Sequence, residues 1–182
     1  MVGQTARVRG RSRIVPLITR GGVAIAAGIA ALLVSPAAGT VLLASYFIVD
    51  GGLALSLAAR MSERRRVRWL LRADGIADIV VAALLAVWAP NVAMMVLIVS
   101  IWAIGTGLLE IAVAIFLPRW PALAWTIAIV GLLSCVIGVV AVDWTDLAEI
   151  GLLYLFGSYA IVAGVLFITV GVLLAHAFHI ER

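Results

Sequence analysis

Six apolar stretches separated by short breaks fill this chain: Ile14 to Val34, Ala37 to Ala59, Trp69 to Ala89, Asn91 to Leu117, Ala122 to Val142 and Ile150 to Ala175. Each holds about 20 residues or more, the length an α-helix needs to cross a bilayer. A backbone surrounded by hydrocarbon must satisfy its own hydrogen bonds, so spans of this length and composition read as helices. Ser35-Pro36 and Ala89-Pro90-Asn91 are turn signals, and Pro118 and Pro121 bracket another break. Turns this short force neighbouring helices to run antiparallel. Composition agrees, since 65% of the 182 residues are hydrophobic, 12% are charged and the mean hydropathy is +1.24, which no soluble core of this size requires. The expectation is an all-α integral membrane protein of six transmembrane helices. An Arg-rich segment 1-13 precedes the membrane domain 14-176, and a short tail 177-182 follows it.

All 13 basic residues are arginines, and they fall on one side of this topology. Arg7, Arg9, Arg11, Arg13 and Arg20 precede or open the first span, and Arg60, Arg64, Arg65, Arg66, Arg68 and Arg72 surround the second break. Arg119 and Arg182 take the remaining positions on that side, while the opposite loops carry Asp143, Asp146 and Glu149. The positive-inside rule therefore places both termini in the cytoplasm. Trp69, Trp88, Trp120, Trp125 and Trp144 fall near the expected interfaces, and Trp102 alone lies in mid-span. The basic balance is not a nucleic-acid signal, because no groove-reading or base-stacking motif accompanies the arginines. The one cysteine, Cys135, excludes a disulfide within the chain. The first apolar run is longer than the core of a cleaved signal peptide and opens with Arg20 inside it, so it reads as a span.

Small residues recur every seventh position: Gly21, Gly28 and Ser35; Ser45, Gly52 and Ala59; Gly75, Ala82 and Ala89; Ser100, Gly107 and Ala114; Ala124, Gly131 and Gly138; Gly157, Gly164 and Gly171. Their middle members in alternate helices repeat after about 55 residues, the mark of an internal repeat. The chain reads as three copies of one helical hairpin, at about 14-60, 68-118 and 122-176. Such stripes let helix backbones approach closely where lipid removes the hydrophobic drive. Gly28, Gly52, Gly107, Gly138, Gly164 and Gly171 are the expected contact points.

These residues carry a resemblance. Gly21 and Gly28, then Pro36 and Asp50-Gly51-Gly52-Leu53, are echoed by Gly75, Pro90 and Gly105-Thr106-Gly107-Leu108, and again by Gly131, Gly138 and Gly157. The pattern resembles the HdeD family of bacterial inner-membrane proteins, from Arg20 to Ala175. The third copy departs from it, with Val142-Asp143-Trp144 where the proline would be. The resemblance implies a multi-pass protein of the bacterial plasma (inner) membrane linked to acid resistance and stress, and supplies no catalytic residues.

Acids inside apolar spans are costly and normally face the bundle interior. At about 1.5 Å per residue, Asp50, Asp78 and Glu110 lie at one depth, with Asp74 shallower, and Asp74 and Asp78 share a helix face at i and i+4. One reading is a site that handles protons or cations. The other, preferred on sequence, is that the acids are protonated or paired with Arg20 and Arg72 and pin the helices together. His176 and His179, one turn apart at the end of the last span, are candidate pH-sensing residues. No third ligand accompanies them, so no metal site is expected, and no cofactor either. Asp50-Gly51-x2-Ala54 with Asp74-x3-Asp78 looks similar to the CDP-alcohol phosphotransferase signature. However, Leu55 replaces the required Arg, and Arg64, Arg68 and Arg72 stand where its glycine and last two acids belong. The expectation is a non-catalytic membrane protein of the envelope or stress response, with a small transporter or channel subunit as the alternative. Its partners would be the lipid bilayer and a second copy or other membrane proteins, not nucleic acid.

Overall fold

The computed structural model describes the backbone of residues 2–60, 65–88, 91–117, 121–143 and 149–180, with side chains described in 15–35, 38–60, 65–88, 91–117, 121–142, 151–173 and at 175. The chain forms α1 (Val2–Leu33), α2 (Pro36–Arg60), α3 (Arg65–Trp88), α4 (Val92–Ile115), α5 (Pro121–Asp143) and α6 (Glu149–Ile180). The helix of α1 starts at Val2 and runs through Pro16, so residues 2–13 of the Arg-rich segment continue the first span as helix. Asn91 caps α4, its side-chain oxygen accepting from the Met94 N–H at 2.9 Å, which satisfies one of the donors that a helix start leaves open.

Among the described residues, five helices are long and apolar enough to cross a membrane, within Val15–Leu33, Ala38–Arg60, Val92–Ile115, Pro121–Val142 and Gly151–Leu173. α3 has similar length, but Arg65, Arg66, Arg68, Arg72, Asp74 and Asp78 lower its apolar content. It nevertheless packs inside the bundle, with Val67, Leu71, Asp74, Gly75, Asp78, Val81, Ala82 and Leu85 buried along one face. The outward faces carry large apolar side chains such as Leu33, Val87, Ile101 and Trp125, as helices solvated by lipid require.

The tightest pairings join neighbouring repeats rather than the two helices of one hairpin: α2 with α3, α4 with α5, and α6 with α1. Glycines make these approaches possible. A Cβ at Gly51 would meet the Gly75 carbonyl oxygen at 2.7 Å, one at Gly107 the Gly131 carbonyl at 2.5 Å, and one at Gly164 the Gly21 carbonyl at 2.5 Å. Gly28 meets Gly157, Gly138 meets Ser100 and Gly171 meets Ile18 in the same way. The pairing of α6 with α1 closes the three repeats into a ring.

Gly52 is the correction. It is exposed and has nothing near it, while Gly51 makes the contact with α3. One residue turns a helix by about 100°, so the α2 stripe that faces a neighbour is Ala44, Gly51 and Ala58. Ser45, Gly52 and Ala59 point outward.

The largest apolar cluster fills the half of the bundle away from the arginine-rich end. It includes Leu43, Tyr46, Phe47, Leu85, Val99, Trp102, Leu152 and Phe156. The arginine-rich half holds a smaller cluster around Ala58, Val67, Leu71, Val113 and Leu117.

Candidate functional site: a buried ionic cluster on the repeat axis

The three glycine pairs fix which residues are equivalent. Gly21, Gly75 and Gly131 correspond on the odd helices, and Gly51, Gly107 and Gly164 on the even ones. Stepping back one residue from each aligns Arg20, Asp74 and Val130, and likewise Asp50, Thr106 and Ala163. One turn further along lie Ala24, Asp78 and Ser134, and Ala54, Glu110 and Phe167. One turn in the other direction on the even helices lie Tyr46, Trp102 and Tyr159. Arg20, Ala24, Tyr46, Asp50, Asp74, Trp102, Thr106, Glu110, Tyr159, Ala163 and Phe167 together line one cavity of about 20 Å³. The cavity therefore sits where the three repeats meet, and its charged groups come from the first two. In the third repeat the equivalents Val130, Ala163 and Phe167 form an apolar cluster of their own.

Arg20 organises the polar side. Its Nε donates to Asp50 Oδ1 at 2.9 Å and its Nη2 to Asp50 Oδ2 at 2.7 Å, a two-pronged pairing, and Nη2 also donates to Asp74 Oδ2 at 3.2 Å. Planar guanidinium geometry suits such two-oxygen recognition. The third-repeat Phe167 ring lies below the guanidinium, 5.8 Å from its carbon to the ring centroid, a distance at which the ring face attracts a cation. Trp102, the aromatic residue in mid-span, donates from Nε1 to Asp78 Oδ1 at 2.7 Å. Beside it, the Ser134 hydroxyl donates to the Ala103 carbonyl at 2.9 Å and ties α5 to α4.

The four carboxylates retain little exposure: 1% for Asp50, 3% for Asp74, 0% for Asp78 and 9% for Glu110. Arg20 satisfies the first two in part. Asp74 Oδ1, Asp78 Oδ2 and Glu110 Oε2 are buried with no hydrogen-bond partner among the described residues. Arg72 does not join the cluster, because its guanidinium lies over the Trp69 ring at 5.3 Å. Two residues along a helix is a turn of about 200°, which sends Arg72 away from the face that carries Asp74. The structure thus brings together Arg20, Asp50, Asp74, Asp78 and Glu110 and leaves Arg72 at the rim. The side chains of His176 and His179 lie outside the described residues. Trp102 and Thr106 were missed as site residues, although a lone tryptophan in mid-span was a usable signal.

A second cavity of about 50 Å³ adjoins the cluster through Arg20, Asp74 and Glu110. It extends toward the arginine-rich end between Pro16, Leu57, Leu71, Val113 and Ile127. A water needs about 10–15 Å³ measured in this way, so the two cavities are of a size for a few waters or a monatomic ion. No group of three or more His, Cys, Asp or Glu among the described residues is arranged to hold a metal ion.

Fold and site define a multi-pass helical membrane protein with an internal threefold repeat and an ionic cluster at its centre. The family model described as a short repeat of unknown function (DUF308) matches the chain three times, over residues 19–87, 75–142 and 129–180, and the chain belongs to that family. Each of the first two matches runs from an odd helix through the even one into the next odd helix, the unit that the glycine pairs join. No curated protein and no solved structure matches the chain.

Proposed function

We propose that this is a non-catalytic, six-span protein of the bacterial inner membrane, HdeD-like and acting in acid resistance or the envelope stress response, with both termini in the cytoplasm. The orientation rests on the placement of all 13 arginines at one end. The acid-response reading rests on one observation: among the described residues, one guanidinium pairs with two of four buried carboxyl groups, Asp50 and Asp74, and the other two, Asp78 and Glu110, make no salt bridge. A network built only to pin helices together would balance its charges, because an unpaired buried charge is strongly destabilising. Protons are the smallest species that restore the balance. The small cavities favour a role without an organic substrate.

Survival of acid-challenged cells tests the reading. A strain lacking the gene should survive less well, wild-type protein should restore survival, and a folded Asp78→Asn, Glu110→Gln double variant should not. Full rescue by that variant would remove the acid role. A second reading, a small transporter or channel subunit that passes protons or cations, is favoured by the contact between the cluster and the cavity that leads toward the arginine-rich end. Proton flux in liposomes separates the two readings.

A further inference from the structure

We infer that Asp78 and Glu110 form a proton-binding site that is reached from the arginine-rich end alone, a dead end rather than a path across the membrane. The inference rests on the acid-response reading and deepens it by naming the trigger: acidification of the compartment that faces the arginine-rich end.

Charge comes first. Arg20 is engaged by Asp50 and Asp74. Asp78 has one oxygen on the Trp102 indole and the other without a donor, and Glu110 Oε2 is likewise buried without one. Among the described residues, the titratable or charged groups around these two carboxyls are Arg20 on α1, Tyr46 and Asp50 on α2, Asp74 on α3, Cys135 on α5 and Tyr159 on α6. Arg20 is the one cation in that set. A proton bound to Asp78 or Glu110 removes a charge that no neighbour neutralises, in surroundings where an uncompensated charge is expensive.

Access comes second. Glu110 and Asp74 line both cavities. The larger one continues toward the arginine-rich end past Leu57, Leu71 and Val113, all within a few turns of that end. Arg20, Asp74 and Glu110 form the polar end of this otherwise apolar space, where a water that enters from the arginine-rich end finds hydrogen-bond partners and hands its proton to Glu110.

Closure comes third. On the other side of the carboxyls stands a layer of packed rings. Phe47 lies 4.5 Å from Trp102 and 6.1 Å from Phe156, and Tyr46 lies 5.2 Å from Phe156. Beyond these rings the large apolar cluster packs the bundle, with Leu43, Leu152 and Phe156 almost wholly buried, and the cavity behind Trp102 measures about 10 Å³, room for one water at most and not for a chain of them. The indole that holds Asp78 belongs to this layer, so it both binds the site and shuts it.

The test uses the full chain in liposomes, with orientation established by cysteine labelling and carboxyl protonation read by infrared difference spectroscopy. Acidifying the side that faces the arginine-rich end should raise a carboxylic-acid carbonyl band, and acidifying the other side should not. The band should be lost in the Asp78→Asn, Glu110→Gln double variant, and an entrapped pH dye should report no proton flux above that of empty liposomes. Should the double variant fail to fold, Leu57→Trp supplies the check: it crowds the cavity without touching a carboxyl and should slow the appearance of the band several-fold. An unchanged band in a folded double variant, or an unchanged rate in Leu57→Trp, would overturn the site. Flux that disappears with Glu110→Gln, or a band raised equally from both sides, would overturn the dead end. A sided band with no survival defect in cells would leave the site standing and remove the acid-resistance reading. The reverse outcome would remove the site alone.

Discussion

Gly164→Ala adds one methyl group, and the geometry states what it meets: the Gly21 carbonyl oxygen at 2.5 Å, Ile25 Cγ1 at 2.7 Å and the Ile25 nitrogen at 3.0 Å. The first and last are backbone atoms of α1, so rotating a side chain cannot relieve them. Restoring ordinary contact at 3.4 Å moves α1 and α6 apart by 3.4 − 2.5 = 0.9 Å. That movement loosens the reciprocal contact at Gly21, whose own Cβ position faces the Gly164 carbonyl at 2.7 Å. Overpacking of this kind costs about 1–3 kcal/mol, and weakening two backbone C–H···O contacts adds about 1 kcal/mol more. Against this stands the helix propensity of Ala over Gly, about 1 kcal/mol. The net expectation is a loss of about 1–3 kcal/mol. Gly52→Ala is the internal control, because nothing lies near a Cβ there and only the propensity gain of up to about 1 kcal/mol remains. Thermal unfolding in detergent, followed by circular dichroism, should therefore move in opposite directions for the two variants. Equal midpoints would refute the close approach of α1 and α6 and, with it, the ring of repeats.

Arg20→Leu should destabilise the bundle by about 3–5 kcal/mol, the cost of stranding buried partners, and Asp50→Leu added to it should recover part of that loss in the same unfolding assay. Trp102→Phe keeps the ring packing but removes the donor to Asp78, so a loss of about 1–3 kcal/mol is expected; if Asp78→Asn is combined with it, the two effects should be non-additive in a double-mutant cycle. Cysteine probes at Ala38, Asn91 and Thr145 should be labelled from outside whole cells and probes at Ser62 and Arg119 should not; labelling of Ser62 would reverse the orientation.

Much of the architecture was legible because membrane helices announce themselves by length and apolarity, and because a repeat of small residues survives in this chain. The pairing of helices was not. Short turns say that α1 and α2 are neighbours, yet they do not say which neighbour takes the glycine face, and in the structure that face turns to the next repeat. Gly51 and Gly52 show the limit most clearly: two adjacent glycines fit the same heptad pattern, and a rotation of about 100° decides between them. Depth counting brought Asp50, Asp78 and Glu110 to one level, and the i, i+4 spacing placed Asp74 on the face of Asp78. Depth alone could not separate Arg20 from Arg72, because a rim arginine finds an aromatic ring as readily as a carboxylate.

The repeat also explains where the polarity came to rest. A threefold arrangement that placed an arginine or acid at every equivalent position would crowd like charges on its own axis. Here the positions of Arg20 and Asp74 are taken in the third repeat by Val130, that of Asp50 by Ala163 and that of Glu110 by Phe167. The third repeat thus supplies an apolar wall, with the Phe167 ring against Arg20, while the first supplies the cation and Asp50, and the second supplies the other three acids. The aromatic position one turn away is kept in all three as Tyr46, Trp102 and Tyr159, and in the second repeat the aromatic donor pairs with a carboxylate on the preceding helix, Asp78. Restoring an acid to the silent repeat is therefore a direct perturbation of the charge balance. Val130→Asp would add a carboxylate at the third position equivalent to Arg20 and Asp74, where Val130 is 1% exposed. With one guanidinium already shared, the new group has no cation to meet, and a loss of stability greater than that of Val130→Asn is expected at neutral pH. The difference should shrink as the pH is lowered and the added group takes up a proton, which unfolding midpoints measured across pH would show. A pH-independent difference would mean that the axis tolerates charge and that the apolar third repeat has another cause.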